Sequence, residues 1–193
     1  MELQPSSRIA PAFDHAFAAA ALRGQEWSAC NRKLAEYWLG LWHGDALPAR
    51  TDFSPQAVRD LLPGMMILEI KPNVRVTARL AGTAVNSAFG IDLTGKDILA
   101  LSPEASREGR LARNSEVAKG AASLCVRNAQ TRLGQIVTSQ EIQLPLSDFT
   151  EDGARLVLFH TSWRPENAQP GVPDVTRTLE APADWRIIPL GPG

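Results

Sequence analysis

The chain has little of what most recognisable chemistry requires. Its two cysteines, Cys30 and Cys125, lie far apart with no CxxC spacing, which argues against a disulfide-stapled scaffold and suits a reducing compartment where small thiols simply pack. Three histidines, His15, His43 and His160, are scattered without HxH or HExxH spacing. A metal centre would have to gather ligands from distant segments, so no metal is expected. No G-x-S-x-G elbow occurs, and Cys125 has no neighbouring histidine to lower its pKa. No triad is visible, no catalytic residue is assigned, and the chain is not expected to be an enzyme.

Neither sign of charge dominates: 20 basic residues face 21 acidic ones, with no run of like charge. Nothing then draws in a polyanion over long range, so nucleic acid and anionic membranes are not expected as partners unless folding assembles a local basic patch. No stretch reaches the roughly 20 apolar residues that span a bilayer. The segment AFAAAALRG at 16–24 is short, alanine-dominated and preceded by Asp14 and His15 rather than by a basic leader. The expectation is a cytoplasmic protein.

What is present reads as one domain with extensions, since 193 residues can bury a core without disulfides or metal. An N-terminal extension is expected over 1–25, the domain over 26–163 and a tail over 164–193. The tail holds six of the 14 prolines and no periodicity, which suggests a surface-lying or disordered segment. Within the domain, 27–43 has a helical pattern: Cys30 or Asn31, Leu34, Trp38, Leu41 and Trp42 recur at spacings of three and four. This stripe needs a large apolar partner, either the domain's own sheet or a second copy of the chain. Leu34, Trp38, Leu41 and Trp42 are therefore the candidate dimer or partner surface.

Gly44 ends that helix and Pro48 extends the chain. Ser54 as N-cap and Pro55 at the first position then start a short helix with Val58, Leu61 and Leu62 on its apolar face. Past Pro63 and Gly64, MMILEI at 65–70, a KPN turn at 71–73 and the alternating VRVTARLAG form a hairpin. In it Val74, Val76, Ala78 and Leu80 point one way. Three short helices are expected at 83–90, 94–101 and 102–120, followed by strands near 122–130, 135–147 and 155–163. This order predicts an α+β domain: a five-stranded antiparallel sheet with short helices on one face and the N-terminal helix free to cover the other.

Several residues in this order resemble a known family. Tyr37, Trp38 and Trp42, then Pro48, Arg50, Asp52 and Pro55, then Leu61, Leu62 and Pro63 lead into RLAGTAVNSAFGIDLTGKDI, with Gly82, Thr83, Gly90, Thr94 and Gly95, and on to LPLS at 144–147. The element order resembles the PAS fold. The residues resemble a bacterial PAS-like subfamily of short stand-alone proteins, formerly a domain of unknown function, over about residues 30–163. The resemblance implies sensing, dimerisation or partner binding in signal transduction. It implies no particular ligand, and the cofactor is left unknown, because function lives in sites rather than folds.

Candidate chemistry is sparse. GIDLTGKD at 90–97 has the G-x-x-x-x-G-K spacing of a phosphate-binding loop, but Asp97 stands where a hydroxyl should reach magnesium, and a helical turn precedes it rather than a strand. The glycines therefore read as turns. CNRKL at 30–34 is a scrambled version of a flavin-adduct motif and precedes the sheet, so no flavin adduct is expected. Arg50 and Asp52, bracketed by prolines, read as a loop clamp by ion pairing or capping, with a surface recognition site as the alternative. His43 reads as a cation at a helix end.

Arg127, Asn128, Thr138 and Gln140 are polar residues in strands. With Asn86 they could orient a small molecule in a mostly apolar pocket, or simply face solvent. Strand register, which would decide, is not given by the sequence. His160 is a further pocket candidate, although a satisfied sheet-face histidine is the favoured reading. The function expected is a PAS-like sensory or regulatory module without an encoded output domain, acting through a small ligand, a homodimer or a signalling protein. The alternatives are a ligand-free structural adaptor and, ranked last, a small enzyme using the cleft.

Overall fold

The computed structural model describes residues 13–131, 136–164, 175–178 and 184–192. Helices α1 (His15–Arg23) and α2 (Ala29–Leu39) come first. Short three-ten turns at Arg50–Asp52, Pro55–Val58 and Leu62–Gly64 lead into the hairpin β1 (Met65–Lys71) and β2 (Arg75–Ala81). Helices α3 (Thr83–Phe89) and α4 (Glu104–Ala118) precede the long strands β3 (Ala122–Thr131), β4 (Ile136–Phe149) and β5 (Arg155–Arg164). Strands β6 (Val175–Thr178) and β7 (Asp184–Ile188) close the described chain. All pair antiparallel in one sheet of order β2-β1-β5-β4-β3-β6, with β7 also on β3. The class is the expected α+β with an antiparallel sheet, enlarged from five strands to seven.

Both faces of the sheet are covered, and the strands supply both by alternation. Leu156 and Leu158 of β5 face a core with α1 and α2, while Val157 and Phe159 face a second core with α3 and α4. Met65 and Ile67 of β1 join the first core, and Met66, Leu68 and Ile70 join the second. Ser28 caps α2, its hydroxyl accepting from the Asn31 amide at 3.2 Å. Leu34 and Trp38 are fully buried, Trp42 is 9% exposed, and the Trp38 indole donates to the Pro145 carbonyl at 3.1 Å. Three members of the expected partner surface, Leu34, Trp38 and Trp42, thus lie inside this chain's own core, because the sheet itself provides the large apolar partner that the stripe requires. Only Leu41 of the four is partly exposed.

Other local expectations shift for identifiable reasons. Ile67 pairs with Leu80 but Leu68 with Ala78, so one extra residue bulges from β2. The bulge breaks the alternation, and Leu80 is 52% exposed while Val76 and Ala78 are buried. Val74, expected to point the same way as Val76 and Ala78, precedes the strand and is 59% exposed. Ser54 makes no capping bond. Its hydroxyl meets Gln56 instead, and the following residues form only a three-ten turn. Two helices, not three, follow the hairpin. The middle segment runs alongside β2, where the Ala78 and Ile98 amides donate to the Lys96 and Val76 carbonyls and the Gly95 amide donates to Ala78. Gly90 and Gly95 take positive φ there, at 69° and 78°, as turn glycines do. The tail also departs from expectation: β6 and β7 pair with β3, and Ile188 and Leu190 enter the first core.

A buried polar network pins α2 to the sheet. The Gln140 side chain accepts from the Ser28 amide at 2.6 Å and from Asn31 Nδ2 at 3.2 Å, and donates to the Glu26 carbonyl at 2.8 Å. His160 Nδ1 lies 2.6 Å from Asn31 Oδ1. The Asn31 amide group already donates to Gln140, so the imidazole Nδ1–H is the donor. Burial pushes this imidazole down to about 4, so it is neutral in the fold. One further close approach joins two turns: a Cβ on Gly82 would lie 2.2 Å from the Leu62 carbonyl oxygen and 2.4 Å from that of Pro63.

Two outcomes follow for stability. Gly82→Ala forces backbone against backbone and is expected to cost about 1–3 kcal/mol or more in urea unfolding, by overpacking. Between pH 6.5 and about 4 the unfolded chain binds a proton at His160 that the folded chain refuses. Stability should therefore fall on acidification through that window by about 3 kcal/mol, and His160→Gln should flatten this limb of the pH profile.

Candidate functional site

The cleft lies between α3, the 98–99 segment and α4 on one side and the inner face of the sheet on the other, enclosing about 60 Å³. One end is apolar, floored by Met66, Leu68, Val76 and Phe159 with Phe89 and Leu99 at the helix side. The other end is charged. On α4, Arg110, Arg113 and Asn114 sit at spacings of three and four and so share the face that meets the sheet. On β4, Ser139, Glu141 and Gln143 alternate with Gln140 and Ile142, which face α2, and on β3 Arg127 pairs across from Ser139. Thr161 and Trp163 of β5 complete this end.

Glu141 is the hub. Its Oε2 accepts from Arg113 Nη1 at 3.1 Å and Arg127 Nη2 at 2.8 Å, while Arg127 Nε lies 2.8 Å from Oε1. The Arg113, Arg127 and Glu141 side chains are 5%, 8% and 14% exposed. Burial by itself would push the Glu141 carboxyl up, but Arg127, Arg113 and Arg110 together outweigh it and hold the group at about 2. Arg110 is pushed down to about 10 by burial, with repulsion from Arg127 next. Besides Arg127 Nε, which is near Glu141 Oε1 but makes no aligned hydrogen bond, four buried polar atoms in this one cleft have no hydrogen-bond partner among the described residues: Arg110 Nε, Arg113 Nε, Thr161 Oγ1 and Trp163 Nε1. Asn114 and Gln143 are satisfied, the Gln143 amide donating to Asn114 Oδ1 at 2.8 Å and its carbonyl accepting from Ser123 at 2.9 Å.

Of the five pocket candidates read from the sequence, the structure places Arg127 alone in this cleft. Asn86 instead braces the neighbouring loop, accepting from the Leu93 amide and donating to Asp92. Thr138 and Gln140 line a wider opening of about 470 Å³ on the opposite face of the sheet, beside Gly24 and Glu26. Their polar groups are already engaged there, Thr138 with Asn128 and Gln140 with α2. His160 belongs to the α2 network. Arg50 and Asp52 act separately: Asp52 accepts from the Ala49 amide at 2.8 Å, and Arg50 places its guanidinium over the Phe53 ring.

Sequence reasoning missed Arg110, Arg113, Asn114, Glu141 and Gln143. The signal was available in α4, where Arg110, Arg113 and Asn114 continue the stripe of the buried Val117 and are polar at positions where a core-facing helix should be apolar.

Removing Glu141 leaves Arg113 and Arg127 without the carboxylate they share. Glu141→Gln is expected to lose about 3–5 kcal/mol in urea unfolding, the usual cost of breaking a buried pair from one side. In the parent protein the contribution is complete above pH 4.5 and lost as pH falls toward about 2, a limb the variant should lack.

Among the described residues no helix is long and apolar enough to cross a membrane, and no group of three or more His, Cys, Asp or Glu side chains is placed to hold a metal ion. No curated protein matches the chain. The family model for the PAS domain matches residues 27–158 of the 193, which spans α2 through the start of β5 and so takes in β1 to β4 with the helices on both faces of the sheet. The chain therefore belongs to the PAS domain family.

Proposed function

We propose that this PAS domain, a sensory or regulatory module by family, works by taking a small ligand into the cleft between α4 and the sheet. The supporting observation is the convergence of Arg110 Nε, Arg113 Nε, Thr161 Oγ1 and Trp163 Nε1, all buried and unpartnered, on one cavity beside an apolar floor. Buried polar groups are ordinarily satisfied, and an apolar pocket with a few converging polar groups is the usual form of a ligand site. The wider opening near Thr138 and Gln140 has more room, but the polar groups of those two residues already hold partners. The signal is relayed through protein contacts. A homodimer or a signalling partner would meet the outer surface of the N-terminal layer, where Phe17 is 37% exposed and Leu41 partly so. The free thiols Cys30 and Cys125 support a cytoplasmic setting.

Native and denaturing mass spectrometry of freshly purified protein, followed by thermal shift against a panel of small metabolites, tests the reading. Expected is either extra mass released on denaturation or a rise in Tm with some panel members that Ser139→Trp, which fills the cleft, abolishes. Bare chain mass with no Tm response to any member would assign the chain to the ligand-free adaptor class instead.

A further inference from the structure

The charge of the cleft lining limits what the ligand can be. Arg110, Arg113 and Arg127 bring three positive charges and Glu141 one negative, so the lining carries an excess of two in an enclosed space. Arg113 and Arg127 share the single carboxylate. Arg110 has no carboxylate within 4.0 Å among the described residues, yet burial weighs on it enough to push its pKa down to about 10. A guanidinium held this way costs folding free energy, because desolvation is not returned by a partner. Of the groups left open the two Nε–H and the Trp163 N–H can only donate, and the Thr161 hydroxyl can donate as well as accept. What the three N–H groups lack is an acceptor, and the charge excess favours an anionic one.

Resting on the ligand reading above, we propose that the ligand is a small organic anion. Its oxyanion head, a carboxylate or phosphate, is gripped by Arg110 and Arg113 with Trp163 and Thr161. Its apolar body lies on Met66, Leu68, Val76 and Phe159. Guanidinium forks match both oxyanions and bind them by paired, charge-assisted hydrogen bonds. The enclosed volume of about 60 Å³ is smaller than a cavity that takes up benzene, roughly 150 Å³, so the head and a few carbons are enclosed while a longer body follows the open side of the cleft. An inorganic ion would leave the apolar floor unused, and a neutral or cationic molecule would leave the charge excess standing.

The test compares hexanoate, benzoate and hexyl phosphate with the neutral hexanamide, benzamide and hexanol, by calorimetry and thermal shift on the full chain. The anions are expected to bind and raise Tm, and the neutral analogues to bind at least tenfold more weakly. Arg110→Met removes a guanidinium with no carboxylate partner, so it should keep or raise the ligand-free Tm while weakening the anions tenfold or more. A merely structural arginine would lower Tm instead. Hexanoate against hexyl phosphate identifies the head group.

If the neutral analogues bind as tightly as the anions, or if Arg110→Met leaves anion affinity unchanged, the anion assignment is overturned while the ligand-binding reading stands. If no probe of either kind binds and the metabolite panel is also silent, both are overturned.

Discussion

Along β4 and β5 each side chain faces the opposite layer from its neighbour, and the sheet cannot be shifted by one residue without exchanging the two layers. Gln140, Ile142 and Leu144 are committed to α2, whereas Ser139, Glu141 and Gln143 are committed to α4. The apolar core and the charged cleft are therefore two faces of a single register. Pairing fixes it further: His160 opposite Ile142 and Thr161 opposite Glu141 put the α2 network and the cleft on adjacent rungs of the same ladder.

The two faces handle polarity differently. On the α2 face the polar side chains of Ser28, Asn31, Gln140 and His160 find one another within the network, and the imidazole stays neutral. The opposite face gathers three guanidiniums around one carboxylate and leaves donors open. A satisfied buried network specifies a structure, whereas a part-satisfied one costs stability. The cost is concentrated in one cavity, as expected where a fold keeps a site ready at the expense of its own stability.

The sequence revealed the fold wherever a period or a breaker was strong. The alternation in 155–163, the KPN turn and the aromatic stripe of α2 all speak locally, and the α2, hairpin and three-strand succession they define is observed. It did not reveal facts that depend on pairing. The β2 bulge that exposes Leu80 exists only relative to β1, and the pairing of the proline-rich tail with β3 depends on an edge formed elsewhere in the chain. The site was obscured for the same reason. Arg127 could be suspected as a polar residue in a strand, but Gln140 and Thr138 looked equivalent until register assigned them to the other face. Arg110 and Arg113 entered no reading of the site, because only the packing of α4 turns their face to the sheet.

The segment laid along β2 and the tail strands laid along β3 close the two long margins of the sheet. An uncovered margin presents rows of unpaired amides and carbonyls that another chain can continue, which is how sheets merge and aggregate. Here the outer side of β2 already gives its Val76 and Ala78 backbone groups to residues 95–98, and what lies beyond β3 is two strands of four and five residues. A second protein therefore cannot join along β2 by extending the ladder there. On that margin only side chains are left to be recognised, and surface composition stands in for the backbone pairing that any extended peptide could supply.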